Sequence, residues 1–199
     1  MSAFRPRIVA LGGTSRPGSS TERALRHALR LCEMRGADSV LLAGDDLVLP
    51  MYAPHEASRS PKAHRMVAEL RLADAVLIAS PGYHGSMSGL VKNALDYTED
   101  MRGDTRAYLS GRAVGCIVTA AGWQAAVTTL GALRDTVHAL RGWPTPLGVC
   151  IGGDPAFAED GTCVDARVDA QMQLLCDDLM SFAHRFRQDA ARDAQRAAA

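Results

Sequence analysis

Lysine is all but missing from this 199-residue chain, with two residues (Lys62 and Lys92) against 20 arginines. Most of the arginines fall on polar helix faces, so the skew fits genomic base composition and carries no functional reading. Net charge is missing too. The 22 basic residues are matched by 22 acidic ones, and no broad field exists to recruit nucleic acid or anionic lipid. Nowhere do about 18 apolar residues run together, as a membrane span requires, and the opening MSAFRPRIVA lacks the apolar stretch of a signal peptide. Cysteines in metal or redox spacing are also lacking. Cys32, Cys116, Cys150, Cys163 and Cys176 are odd in number, far apart and without a CxxC pair, which argues for free thiols in a reducing compartment. The six histidines show no paired ligand spacing, so no metal site is expected. The expectation is a cytoplasmic protein with no nucleic-acid partner and no membrane.

What the chain does have is alternation. Short apolar runs at Arg7–Gly13, Asp38–Gly44, Ala73–Gly82, Arg112–Gly122 and Thr145–Gly153 read as five strands. Between them lie helical patterns. Ser19 and Glu22 have capping-box spacing and precede a stripe of Ala24, Leu25, Ala28, Leu29 and Cys32 that stops at Gly36. Ser60-Pro61 reads as an N-cap with Pro at N1, opening a helix whose core face is Ala63, Met66, Val67 and Leu70. A short helix over Ser88–Tyr97 carries Leu90, Val91, Ala94 and Leu95. A fourth aligns Val127, Leu130, Leu133 or Arg134, Val137 and Leu140, and the last stripes Val164, Val168, Met172, Leu175, Leu179, Phe182 and Phe186. Strict strand–helix alternation predicts an α/β fold, a three-layer doubly wound five-stranded parallel sheet in one domain over residues 1–188. The Ala/Arg tail, residues 189–199, has no apolar face and is expected to fray. In such a sheet ligands bind beyond the carboxyl ends of the strands, which nominates the loops Gly13–Ser20, Ser80–Ser88 and Thr119–Trp123.

The first loop, GGTSRPGSST, is missing the parts of two nucleotide motifs. Gly12 and Gly13 are adjacent and the next glycine is Gly18, so the dinucleotide G-x-G-x-x-G is absent. Gly13 to Gly18 has Walker spacing, but Ser19 stands where that motif places lysine. What remains is a strand-to-helix turn with backbone N–H groups at a positive helix end, the hydroxyls of Thr14, Ser15, Ser19, Ser20 and Thr21, and the guanidinium of Arg16. That inventory suits a single phosphate dianion. An ordinary capped turn has a similar composition.

The second loop, SPGYHGSMSGLVKNALDY, adds Pro81, Gly82, Tyr83, His84, Gly85 and Ser86 at the end of the third strand. Its glycines would let backbone approach a flat ligand. Together the two loops resemble the NADPH-dependent FMN reductases, a branch of the flavodoxin-like flavoproteins that includes quinone, azo-dye and chromate reductases. GTSRPGSST parallels that family's phosphate loop G-S-x-R-x-G-S-x-N through Thr14, Arg16, Ser19 and Thr21. The family's P-E-Y-x-x-S-x-x-G-x-x-K-N-x-x-D is carried by Pro81, Tyr83, Ser86, Gly89, Lys92, Asn93 and Asp96. Gly82 replaces its usual acidic residue, and the third loop reads TAAGWQ where relatives have longer glycine runs.

The resemblance implies an oxidoreductase that moves hydride from NADPH to FMN, with reduced flavin, a quinone or an azo compound as onward acceptor. It implies phosphate contacts at Thr14, Arg16, Ser19, Ser20 and Thr21, and ring contacts at Pro81 to Ser86 and at Thr119, Ala121, Gly122 and Trp123. No catalytic side chain is required, since the flavin carries the chemistry. Relatives assemble as dimers or tetramers, so a homodimer or homotetramer is expected. A flavodoxin-like electron carrier is the alternative, although carriers commonly present acidic docking surfaces and this chain is neutral. A phosphate-binding hydrolase or kinase would need a nucleophile or metal carboxylates that the sequence does not offer.

Overall fold

The computed structural model describes residues 4–153 and 155–197. Its strands are β1 (Arg7–Gly12), β2 (Asp38–Ala43), β3 (Ala75–Tyr83), β4 (Ser86–Met87), β5 (Ala113–Ala120), β6 (Trp143–Pro144) and β7 (Val149–Gly152). The helices are α1 (Ser20–Met34), α2 (Pro61–Leu72), α3 (Gly89–Asp96), α4 (Trp123–Ala139) and α5 (Ala166–Ala197). The sheet runs β2-β1-β3-β5, with β6 and β7 both on the far side of β5, and all of these pairs are parallel. From β1 the chain steps outward to β2 and then returns to place β3 on the other side, so strand order reverses between β1 and β3. Doubly wound sheets open their crevice at such a reversal.

Helices cover both faces. Apolar residues of α1 and α5 pack on one face, against Ile8, Ala10, Leu77 and Ile117. The other is covered by α2, α3 and α4, against Val9, Leu11, Val76, Ile78 and Val118. A strand buried on both sides must be apolar at every position rather than at alternate ones, and β3 is buried from Ala75 through Pro81. The stripes expected for α1 and α2 are all buried. Ser60 caps α2 and Ser88 caps α3, accepting the N–H of Ala63 and of Val91. At Gly12, with φ of +145°, an added Cβ would lie 1.9 Å from the Ala79 carbonyl oxygen. Only glycine lets β1 approach β3 this closely at its exit.

Three expectations need correction. The fifth strand is shorter than the expected Thr145–Gly153: β7 starts only at Val149, after a stretch in which Pro146 has no N–H to give to a ladder, and the short β6 precedes that stretch on the same side of β5. On α4 the packed face is Ala126, Thr129, Leu133 and Val137, while Val127 is exposed. Thr129 takes a core position because its hydroxyl donates to the Ser86 carbonyl at 3.3 Å. Val164 is exposed and lies before α5, where its N–H bonds the Ala156 carbonyl instead. Past Gln188 the helical backbone of α5 continues to Ala197; residues 198 and 199 lie outside the described residues.

Candidate functional site

Each loop at the carboxyl edge is shaped by its own hydrogen bonds. In the first, the Gly13 N–H donates to the Ala79 carbonyl at 3.1 Å, fixing where the chain leaves β1. The Thr14 hydroxyl then accepts the Arg16 N–H at 3.1 Å and donates to the Arg16 carbonyl at 3.3 Å, a closed turn that holds Arg16 on the surface. Ser19 is the N-cap of α1, its Oγ accepting the Glu22 N–H at 3.3 Å. Glu22 reaches back past the cap to accept the Gly18 N–H at 3.0 Å and is paired with Arg26 at 2.7 Å.

The first backbone bond of α1 joins Arg23 N–H to the Ser19 carbonyl. The N–H groups of Ser19, Ser20 and Thr21 precede it and have no helical acceptor. Among the described residues the Arg16 guanidinium makes no hydrogen bond or ion pair and is exposed. Three amides at the positive end of a 15-residue helix, beside a free guanidinium and the exposed hydroxyls of Ser15 and Ser20, fit one phosphate group. The Thr21 side chain does something else. It is buried, with Oγ1 2.6 Å from Thr119 Oγ1, so it ties the start of α1 to the end of β5.

The second loop is a β-hairpin, which the sequence reading did not foresee. Tyr83 pairs with Ser86 across a two-residue turn, and both central residues have positive φ, His84 at +51° and Gly85 at +84°. That is the signature of a type I′ turn. Ser80 anchors its base: the buried hydroxyl accepts the Ser88 N–H at 2.9 Å and donates to the Pro81 carbonyl at 2.9 Å. Tyr83 and His84 are exposed, and among the described residues their side chains have no hydrogen-bond partner. Gly82 faces α4, where a Cβ would lie 2.9 Å from Thr129 Oγ1 and 3.1 Å from the Ala125 carbonyl oxygen. This is why an acidic residue is missing there: the helix occupies the space.

In the third loop, Ala121 and Gly122 are exposed. Trp123 opens α4 with its indole half-exposed and the Arg167 guanidinium 4.8 Å from the ring centroid, so one ring face already has a partner. Ser20, Thr119, Ala120 and Ala121 line a cavity of about 300 Å³ whose far wall is Ile151, Gly153 and Pro155–Phe157. Sequence reasoning missed that wall. The glycine pair ending the last strand, Gly152 and Gly153, was the available signal. Among the predicted residues, the structure brings Ser20, Thr119 and Ala121 to one cavity. The hairpin stands apart on the α4 side of the sheet, with no hydrogen bond to the first loop among the described residues.

A description of the NADPH-dependent FMN reductase family matches residues 6–154, three quarters of the chain. The chain belongs to that family. An NAD(P)H-dependent FMN reductase of Pseudomonas aeruginosa is 33% identical over 93 residues, 46% of this chain and 49% of that protein. An FMN-dependent NADPH-azoreductase of Staphylococcus aureus is 32% identical over 113 residues, 55% of this chain and 56% of that one. This reductase-family chain thus spans about half the length of the curated relatives it matches. Among solved structures, the flavoenzyme FerB of Paracoccus denitrificans, an NAD(P)H:(acceptor) oxidoreductase, superposes with a TM-score of 0.76 at 22% identity, over 91% of this chain and 98% of that one. A WrbA-like flavodoxin of Agrobacterium tumefaciens superposes at 0.60 and 17% identity, over 92% and 98%. The fold is flavodoxin-like.

Elsewhere, chemistry of other kinds is closed off in the interior. Cys116, in the middle of β5, has its thiol pushed up to about 12 by burial, and burial also raises Cys150. Neither is a nucleophile at neutral pH.

Proposed function

We propose that the chain is an NAD(P)H-dependent oxidoreductase that binds FMN at its carboxyl edge and delivers hydride from NADPH onward to a small-molecule acceptor such as free flavin, a quinone or an azo compound. The observation that carries the reading is the lysine-free anion cradle of Ser19, Ser20 and Thr21 amides beside Arg16. FMN, when bound, supplies the hydride chemistry. The chain's own residues bind and orient. Thr14 folds the loop so that Arg16 can meet the phosphate, Ser20 adds a hydroxyl, and Ser19 and Thr21 hold the helix end in place. The hairpin backbone from Pro81 to Ser86 and the turn Thr119–Trp123 flank the ring position, and their amides would stabilise negative charge developing there. No catalytic side chain is required of these loops, since the flavin carries the chemistry. The reading extends to a cytoplasmic location and to a homodimer or homotetramer, the assembly supported by the exposed apolar side chains of Trp123, Val127 and Trp143.

Anaerobic mixing of the purified chain with FMN and NADPH tests it: the flavin absorbance should bleach within seconds. Tight FMN binding with no bleaching would instead mark an electron carrier. Arg16→Ala should weaken FMN by about 10–100-fold, the worth of a charge-assisted phosphate contact, and leave riboflavin nearly unchanged. Equal weakening of both would remove the phosphate assignment.

A further inference from the structure

Away from that edge the fold gathers an imidazole, a thiol and a carboxylate that are distant in the sequence. His27 comes from α1, Cys163 from the segment between β7 and α5, and Asp169 from the first turn of α5. One ligand atom of each lies within 4.8 Å of the other two. His27 Nε2 and Asp169 Oδ1 are 2.7 Å apart, and all three residues are partly buried, sheltered yet open to solvent on one side.

We propose that His27, Cys163 and Asp169 form a binding site for a borderline-soft divalent cation, zinc being the best match, and that the ion clamps the 157–163 hairpin to α1 and α5. The donor set decides the ion. Nitrogen, sulfur and oxygen together suit zinc, whereas calcium and magnesium take all-oxygen sets. A thiolate and a carboxylate also neutralise a dication. Zinc bond lengths of about 2.0–2.3 Å place tetrahedral donor atoms roughly 3.3–3.7 Å apart. Closing the cluster therefore asks for side-chain rotations that open the imidazole–carboxylate contact and bring the sulfur in. The solvent side leaves a fourth position for water.

The backbone around the cluster is already fixed. Asp165 caps α5, its Oδ1 accepting the N–H of Arg167 at 2.9 Å and of Val168 at 3.1 Å, and its carbonyl accepts the Asp169 N–H. Cys163 is bridged to Phe157 across the hairpin, and the Phe157 ring centroid lies 5.8 Å from that of His27. Arg23 and Arg30 of α1 hold the hairpin through the Ala158 and Gly161 carbonyls at 3.2 and 3.0 Å. The Arg30 guanidinium also stands 3.5 Å from His27 Nδ1, and must yield that nitrogen when it takes the ring proton.

On loading, the Cys163 S–H bond breaks, the sulfur–metal bond forms and the proton goes to solvent. The imidazole proton moves to Nδ1, leaving Nε2 free to coordinate. Because the thiol must give up its proton to bind, uptake weakens as pH falls. The clamp bears on the rest of the molecule because Ala156 and Phe157, the hairpin's other arm, wall the cavity at Ser20 and Thr119. The ion site itself stands whether or not that cavity binds flavin.

The test is equilibrium dialysis of the reduced full chain against zinc chloride, with cobalt(II) titration as the spectroscopic probe. One ion per chain is expected, with a thiolate-to-cobalt charge-transfer band in the near ultraviolet. Cys163→Ser and His27→Gln should each weaken binding by about 100-fold or more. No retained zinc, or a stoichiometry and band unchanged in Cys163→Ser, would overturn the site. Should a variant fail to fold, the unmodified chain decides: zinc should slow iodoacetamide alkylation of Cys163 by roughly tenfold or more, as ligation removes the nucleophilic thiolate. An unchanged alkylation rate would overturn it equally.

Discussion

Thr21 and Thr119, 98 positions apart, meet hydroxyl to hydroxyl at 2.6 Å, with Thr21 1% and Thr119 8% exposed. This contact joins the start of α1 to the end of β5, the neighbour of the central strand β3. Replacing one partner by valine strands the other hydroxyl in the interior, at a cost of about 1–3 kcal/mol. Replacing both removes the stranded group. Urea unfolding should therefore find Thr21→Val and Thr119→Val each destabilised, and the double variant less destabilised than the two single effects summed. Strict additivity would show that the pair does not interact.

Gly82 supports a second prediction. A Cβ there would press on Thr129 Oγ1 at 2.9 Å, which is itself bonded to Ser86, and on the Ala125 carbonyl at 3.1 Å. Neither neighbour can yield freely, so Gly82→Ala should cost about 1–3 kcal/mol by overpacking. Gly131, in the middle of α4 with nothing within 4 Å of its added Cβ, is the control. Gly131→Ala should stabilise by about 0.8–1 kcal/mol, the helix preference for alanine. A thermal melt of each variant separates them by sign.

These two glycines also mark the limit of what the sequence reveals. Local rules sufficed for Ser60-Pro61 and Ser88, because a cap and its helix are neighbours in the chain. The stripe of α1 was legible for the same reason. On α4, hydrophobicity pointed to Val127, yet the packed position belongs to Thr129. Its hydroxyl is bonded by Ser86, 43 residues away, and Gly82 leaves the room. Periodicity cannot register a partner that distant. The capped turn proposed to hold a phosphate was legible as a strand-to-helix connection, since its amides, hydroxyls and guanidinium are contiguous. The cavity wall at Pro155–Phe157 and the cluster of His27, Cys163 and Asp169 were not, because each is assembled only when β7 and α5 close against α1.

Arg59 and Asp100 set an acid limb. The guanidinium binds both carboxylate oxygens, at 2.8 and 3.0 Å, and lies over the Tyr52 ring at 4.8 Å. The hydrogen bond from Arg59 holds the Asp100 carboxyl below its ordinary value. Because the folded pKa lies below the unfolded value of about 3.9, the stabilisation is complete above that value and is lost as pH falls through the folded one. Asp100→Asn should be less stable than the wild type at pH 7, with the gap narrowing as pH falls below the unfolded value and through the folded one. A gap that stays constant across the acid range would show that the charge of Asp100 contributes nothing.

The hairpin turn offers the last prediction, and it separates backbone from side chain at the proposed ring site. His84 and Gly85 occupy the two central positions at φ of +51° and +84°. Left-handed backbone costs a residue with a Cβ about 1–2 kcal/mol, asparagine being the residue that tolerates it best after glycine. His84→Asn should hold or raise stability by a few tenths of a kcal/mol. His84→Val, β-branched, should lose about 1–2 kcal/mol, and Gly85→Ala about 1. The imidazole is exposed and has no hydrogen-bond partner among the described residues, so its removal alone changes little in the fold. FMN titration of the same variants then discriminates between roles. Affinity kept in His84→Asn and lost in His84→Val would assign binding to the turn's backbone shape. Affinity lost in both would assign it to the imidazole.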